Sequence, residues 1–169
     1  GIPNYRFPRE RLQEDIDAIL ATGVEVKMNQ NIGTEEMKEI HKFYDATYVA
    51  IGAHTDKKLG LEGEDSKNVI SAVDMLRDGK YPDYTGKRVV VVGGGNVAMD
   101  CARTAIRANA ETVSIVYRRR QEDMTALPAE VEGAVAEGIE LVTLKAPLRV
   151  EADAEGNACA LWVQPQIIG

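Results

Sequence analysis

The sequence predicts an α/β fold, helices packed on a parallel sheet, on three observations. The run Val89 to Val92 is apolar at every position, as expected of a parallel strand covered on both faces. It runs through Gly93, Gly94 and Gly95 into a helix-like stretch with Val97, Cys101, Ala105 and Ala108 along one face. A second apolar strand begins at Val113, so the whole reads as one βαβ unit, the signature of a Rossmann-like domain.

The elements before this unit are shorter. "RERLQEDIDAILATG" places Leu12, Ile16, Ile19 and Leu20 at helical spacing and stops at Gly23. "VEVKM" alternates as a short strand, Thr34 is placed to N-cap "EEMKEIHKF", and "YDATYVAIGA" is a β-rich run. Residues 54 to 68 are polar and turn-rich, which predicts a connection across the surface, followed by a helix in "VISAVDMLRDG" and a turn in "YPDYTG". Beyond the βαβ unit, Pro128 suits a helix start, with Glu130 and Glu132 in the first turns, and Gly138 ends that helix before the strand "IELVTL". "LRVEADAEGNACALWV" reads as a hairpin turning at "DAEGN".

Composition narrows the function classes. The chain has 169 residues, 44% of them hydrophobic, and a net charge of -7. That acidic balance argues against nucleic acid or an anionic membrane surface as partner. Two cysteines 58 positions apart, Cys101 and Cys159, supply neither a C-x-x-C nor a disulfide framework, which fits a reducing, cytoplasmic setting. No apolar run is long enough for a membrane helix, and the opening lacks signal-peptide regions. Gly1 in place of an initiator Met, and a strand-like run at the other end with no helix or tail after it, lead to the expectation of a piece of a longer polypeptide.

Gly93, Gly95 and Ala98 satisfy G-x-G-x-x-A between strand and helix. Glycine at 93 permits the tight turn, the bare backbone at 95 lets a pyrophosphate approach, and a small residue at 98 lets helix and strand pack closely. The N–H groups of Gly95, Asn96 and Val97, at the positive end of the helix dipole, form an anion site. Alone the pattern is weak; between these two elements it points to a dinucleotide rather than to a turn that only packs. An acidic residue about 20 positions on would bind a ribose 2′-hydroxyl. Arg118, Arg119 and Arg120 stand there instead, and guanidinium groups clamp a 2′-phosphate where a carboxylate would repel it. NADPH is thus favoured over NADH. Neighbouring residues leave a strand on opposite sides, so two of the three are expected to reach the phosphate.

Weaker candidates have simpler readings. His54 and Asp56 lie in a polar stretch and read as solvated, so no metal site is expected. Asp100 either favours the helix N-terminus or touches the nicotinamide side, and Cys101 reads as core. No Y-x-x-x-K accompanies the fingerprint, against a short-chain dehydrogenase, and the lack of a close cysteine pair stands against a disulfide reductase.

"GKRVVVVGGGNVAMDCARTAIRANAETVSIVYRRR" and "EDMTALPAEVEGAVAEGIEL" closely resemble the NADPH-binding domain of the small subunit of bacterial glutamate synthase and its relatives, among them the flavin lobe of dihydropyrimidine dehydrogenase. "GIPNYRFPRERL" resembles the segment after that family's first flavin-binding half, and "YDATYVAIGA" its second flavin-lobe strand and turn. The resemblance implies a flavin-dependent oxidoreductase in which NADPH reduces FAD and electrons continue to iron-sulfur clusters or a partner subunit. Residues 1–60 would form part of an FAD-binding lobe with its connection, and residues 70–169 an NADPH-binding domain truncated at its C-terminal end. By the family pattern it implies that Gly95, Asn96 and Val97 meet the pyrophosphate, that Arg118 and Arg119 meet the 2′-phosphate, and that Ile2 and Pro3 lie near the flavin; the cofactor-binding set expected as a whole is Gly93, Gly94, Gly95, Asn96, Val97, Ala98, Arg118, Arg119 and Arg120, with Ala50, Ile51 and Gly52 as further flavin-lobe contacts. The implied partners are the remainder of the flavoprotein chain and a large catalytic subunit.

The departures bear on activity. The family's earlier fingerprint for FAD, its cysteine-rich cluster region and its closing flavin segment are missing, so the isolated chain is expected to lack a complete FAD site and not to turn over alone. Hydride transfer from nicotinamide to flavin is carried by the cofactors, which leaves the protein to position them. A non-catalytic NADPH-binding sensing or assembly module is the competing reading, and an upstream glycine fingerprint with cysteine clusters would decide against it.

Overall fold

The computed structural model describes residues 1–79 and 81–167, so Lys80 and the last two positions of the expected 70–169 range lie outside the described residues. Residues 4–54 form one compact unit, and residues 1–3 with those from Thr55 onward form another.

The larger unit is built on the expected βαβ element. Strand β1 (Arg88–Val92) pairs in parallel with β2 (Thr112–Val116), Val91 opposite Ile115, and helix α4 (Asn96–Arg107) connects them. A third parallel strand, β3 (Glu140–Val142), places Leu141 opposite Ile115, giving the order β1-β2-β3. Helix α3 (Ala72–Asp78), capped by Ser71 Oγ accepting from Asp74 N–H, and helix α5 (Pro128–Ala136) pack beside α4. Met99, Ala102 and Ala105 of α4 meet Val113 and Ile115 of β2, Val131 and Ala134 of α5, and Met75 of α3. Burying side chains the size of Met99 and Ile115, both fully enclosed, is worth roughly 1.5–3 kcal/mol each. Alanines at the helix contacts bring the backbones close, and there Arg103 spans both helices, pairing with Glu130 at 2.6 Å and Glu137 at 2.9 Å.

Coverage of β1 differs from expectation. Val89 and Val91 pack on the core, whereas Val90 and Val92 are 49% and 37% exposed. Successive strand residues face opposite sides, and the described helices of this unit cover only one of them.

The hairpin is longer than predicted. Strand β4 (Lys145–Ala152) pairs antiparallel with β5 (Ala158–Pro165), and Asp153 Oδ1 accepts from the N–H groups of Glu155 and Asn157 in the turn. Arg149 lies 4.6 Å above the Trp162 ring. The stretch read as a surface connection is fastened along this hairpin: Val150 N–H donates to the Glu62 carbonyl at 2.8 Å, and Ala158 N–H to Asn68 Oδ1 at 2.8 Å. Gly63 allows the approach, because at φ +78° a Cβ would sit 2.1 Å from the Val150 carbonyl oxygen.

In the smaller unit, α1 (Arg9–Leu20) and α2 (Thr34–Phe43) form as expected, except that Gly33 takes the N-cap position assigned to Thr34. The Glu36 carboxylate draws the helix start back by accepting the Gly33 N–H at 3.0 Å. The strands expected in "VEVKM" and "YDATYVAIGA" do not form. A strand needs a ladder partner and a face to bury, and Val26, Tyr48 and Ile51 are 53%, 93% and 74% exposed. No helix among the described residues is long and apolar enough to cross a membrane.

Candidate dinucleotide site

The glycine turn follows β1, and each glycine in it answers to a different constraint. Gly93 has φ +142°, a conformation side-chain-bearing residues rarely adopt, and donates its N–H to the Val116 carbonyl at 3.1 Å, which locks the turn to β2. A Cβ on Gly93 would reach Ala98 Cβ at 3.4 Å, so the small residue at 98 is what lets the turn lie against α4. Gly94 is buried under an aromatic ring: a Cβ there would lie 2.6 Å from the nearest Tyr117 ring carbon. Gly95, the N-cap of α4, is in extended conformation at φ -102°, which any residue can adopt, and a Cβ would meet only Thr125 Oγ1 at 3.5 Å. Neither backbone nor packing demands glycine at 95. What the absent side chain leaves is open approach to the N–H groups that begin α4, which no preceding helical carbonyl can satisfy. Such a cradle, at the positive end of a 12-residue helix, fits a pyrophosphate. Asn96 turns its side chain aside to accept the Leu127 N–H at 2.9 Å, and Val97 is exposed.

The three arginines leave β2 at the same end of the sheet, since β1 and β2 run parallel with Val92 opposite Val116. They are not equivalent. Arg118 and Arg119 are exposed and make no ion pair among the described residues. Arg120 is bound to Asp123, with Nε at 3.0 Å and Nη2 at 2.9 Å from the two carboxylate oxygens, and reaches Glu122 at 3.4 Å. The hydrogen bond from Arg120 holds the Asp123 carboxyl below the usual carboxylate range, and the same pairing raises Arg120.

Three residues that sequence reasoning did not single out complete the arrangement. The Tyr117 ring covers Gly94 and its hydroxyl donates to the Asp123 carbonyl at 2.8 Å. Asp123 holds Arg120, and Thr125 stands beside Gly95. The segment that carries them returns to the glycine turn, where Ala126 N–H donates to the Gly94 carbonyl at 3.0 Å. The i, i+3 spacing of Arg120 and Asp123 was a readable signal for a local ion pair; nothing in the sequence marked Tyr117 or Thr125.

Cys101 is core, its thiol pushed up to about 12 by burial first and by Asp100 second, and Asp100 is itself buried. The His54 ring nitrogen lies against the Ile51 carbonyl, and among the described residues no group of His, Cys, Asp and Glu is placed to hold a metal. Ile2 and Pro3 belong to the larger unit, and Ala50, Ile51 and Gly52 to the smaller one, where all three are exposed and Gly52 has φ +70°.

The sequence profile of the pyridine nucleotide-disulphide oxidoreductase family matches residues 5–163. Over 163 residues the chain is 42% identical to the NADP(+)-dependent formate dehydrogenase subunit beta of Moorella thermoacetica, a match covering 93% of this chain and 23% of that protein. It is 33% identical over 171 residues to the glutamate synthase [NADPH] small chain of Escherichia coli K12, covering 93% of this chain and 36% of that one. The chain thus spans less than half the length of these curated relatives. The second match bears out the resemblance drawn from the sequence. Mycobacterium tuberculosis FprA, solved in complex with NADPH, shares the fold over 76% of this chain and 49% of its own, at a TM-score of 0.54 and 20% identity. Since the profile covers nearly the whole chain, the chain belongs to the pyridine nucleotide-disulphide oxidoreductase family.

Proposed function

We propose that this chain binds NADPH and, in the intact protein, positions it to reduce FAD. One observation carries the reading: an open, side-chain-free approach at Gly95 lies at the same sheet end as two exposed arginines that make no ion pair among the described residues. The N–H groups of Gly95, Asn96 and Val97 receive the pyrophosphate, Gly93, Gly94 and Ala98 shape the turn, and Arg118 and Arg119 select the 2′-phosphate. Arg120, engaged by Asp123, supports the segment. NADPH supplies the hydride and FAD accepts it, so this chain contributes binding and orientation rather than a proton-transferring group.

Residues 1–60 would serve the flavin lobe, with Ile2, Pro3, Ala50, Ile51 and Gly52 as contacts. The exposed apolar side chains of residues 4–54 support it, because they present a surface for further protein to cover. Onward transfer to a large partner subunit is favoured by relatives whose names describe them as a subunit or small chain; iron-sulfur clusters on that route follow from the resemblance, and a cytoplasmic setting from the sparse cysteines.

The test replaces Arg118 and Arg119 together with Ala and compares dissociation constants for NADPH and NADH by titration calorimetry. Charge-assisted hydrogen bonds to a phosphate in an open site favour NADPH by roughly 30-fold to 1000-fold. The double replacement should erase most of that preference and leave NADH affinity nearly unchanged. Equal affinity for both cofactors in the wild type, or a preference that survives the replacement, refutes the reading.

A further inference from the structure

Asp123 is an acidic residue where electrostatics alone would exclude one. It sits three residues from Arg120, in the segment proposed to recognise a phosphate dianion, and a carboxylate there opposes phosphate binding unless it is neutralised and used for something else. The structure shows both. Its carboxylate accepts from the Arg120 guanidinium at 3.0 and 2.9 Å and from the Arg120 backbone N–H at 3.2 Å, while its own N–H donates back to the Arg120 carbonyl at 3.1 Å. Its carbonyl accepts the Tyr117 hydroxyl at 2.8 Å, and the Tyr117 ring covers Gly94. Residues 117 to 123 are therefore closed into a loop at both ends. Arg118 and Arg119 project from it, the Arg119 carbonyl also accepts the Leu144 N–H at 3.0 Å, and the Tyr117 ring joins the loop to the glycine turn.

We propose that Asp123 is a positioning residue for cofactor selection: by holding Arg120 and Tyr117 it fixes the backbone that aims Arg118 and Arg119 at the 2′-phosphate. Arg120 acts through this pair and does not itself touch the phosphate. The inference rests on the NADPH reading above and adds to it a sign that simple electrostatics reverses. Deleting a negative charge beside an anion site should strengthen anion binding; deleting a positioning residue should weaken it.

The experiment measures dissociation constants of NADP+ and NAD+ for the intact protein as wild type, Asp123→Asn, Arg120→Ala and the double variant. Expected is a loss of about fivefold to tenfold in NADP+ affinity for each single variant, with NAD+ affinity within about twofold of wild type. The double variant should lose no more than either single one, because both remove the same interaction. Unchanged or tighter NADP+ binding in Asp123→Asn overturns the proposal in favour of plain charge. Equal losses for NADP+ and NAD+ overturn it in favour of a general structural role, and additive losses overturn it by making Arg120 a phosphate ligand. A wild type without preference between the cofactors sinks the NADPH reading itself, and this inference with it.

Discussion

Gly94 and Gly95 are neighbours in one turn, yet replacing them should have opposite consequences. At Gly95 the backbone is extended at φ -102°, ψ 173°, and a Cβ meets only Thr125 Oγ1 at ordinary contact distance, 3.5 Å. Gly95→Val should therefore fold. Its cost is that of a poorer N-cap, about 1 kcal/mol, which lowers the melting temperature of a domain this size by about 3 °C. The isopropyl group stands over the first N–H groups of α4. Losing two hydrogen bonds to a charged phosphate, at roughly 1.5–3 kcal/mol each, weakens dinucleotide binding by at least about 100-fold. Gly94→Ala reverses the balance. Its methyl would lie 2.6 to 2.9 Å from three Tyr117 ring carbons, so the ring must move and its hydroxyl must leave the Asp123 carbonyl. Overpacking of this kind costs about 1–3 kcal/mol. Thermal unfolding and calorimetric titration of both variants provide the comparison. A Gly95→Val protein that is folded and binds NADPH as tightly as wild type would show that the pyrophosphate does not lie on this turn. A Gly94→Ala protein as stable as wild type would show that the Tyr117 contact is not confining.

Two further expectations concern stability. The Glu137 carboxyl is held below the usual range first by the hydrogen bond from Arg107 and then by Arg103, so its contribution is complete above the ordinary glutamate value of about 4.3 and is lost as pH falls through the lower folded value. The stability difference between wild type and Glu137→Gln should shrink as pH is lowered from about 5 to 3, and a constant difference would refute the assignment. Gly63→Ala forces a Cβ against the Val150 carbonyl at φ +78° and should cost about 3 kcal/mol; an unchanged melting temperature would show that residues 59 to 68 are not fastened to the hairpin as described.

What the sequence made legible was whatever local pattern decides. The valine run, the glycine turn and the amphipathic α4 are each specified by residues adjacent in the chain, and β1, α4 and β2 formed as expected. The two expected strands of residues 4–54 failed on a non-local requirement: alternation in "VEVKM" makes a strand possible, but only a neighbouring ladder makes it one. The attachment of residues 61 to 68 to the hairpin was hidden for the same reason, since Glu62 and Val150 are paired across a long stretch of chain and the segment's polar composition resembles any surface loop. The arginines were visible as a cluster, and the family pattern already pointed to Arg118 and Arg119 for the 2′-phosphate; what the sequence hid was why Arg120 stands apart. That reason is Asp123, whose carboxylate engages Arg120, whereas Arg118 and Arg119 make no ion pair among the described residues.

That division bears on how a flexible basic side chain becomes selective. An exposed arginine carries about 2 kcal/mol of rotamer entropy, part of which is lost on binding, so a phosphate clamp works best when the backbone beneath it is already fixed and only the side chains must order. The Leu144 N–H on the Arg119 carbonyl and the Lys145 N–H on the Tyr117 carbonyl, both at 3.0 Å, hold part of that backbone; the rest is fixed by contacts outside the cradle proper: a ring on Gly94, a hydroxyl on the Asp123 carbonyl, and a carboxylate on Arg120. Each joins the segment after β2 to itself or to the turn after β1. In the NADPH reading proposed above, a dinucleotide touches both segments at once, with pyrophosphate on one and 2′-phosphate beside the other. The distance between them is then set before the cofactor arrives, and a cofactor lacking the 2′-phosphate gains nothing from the second segment while losing nothing on the first.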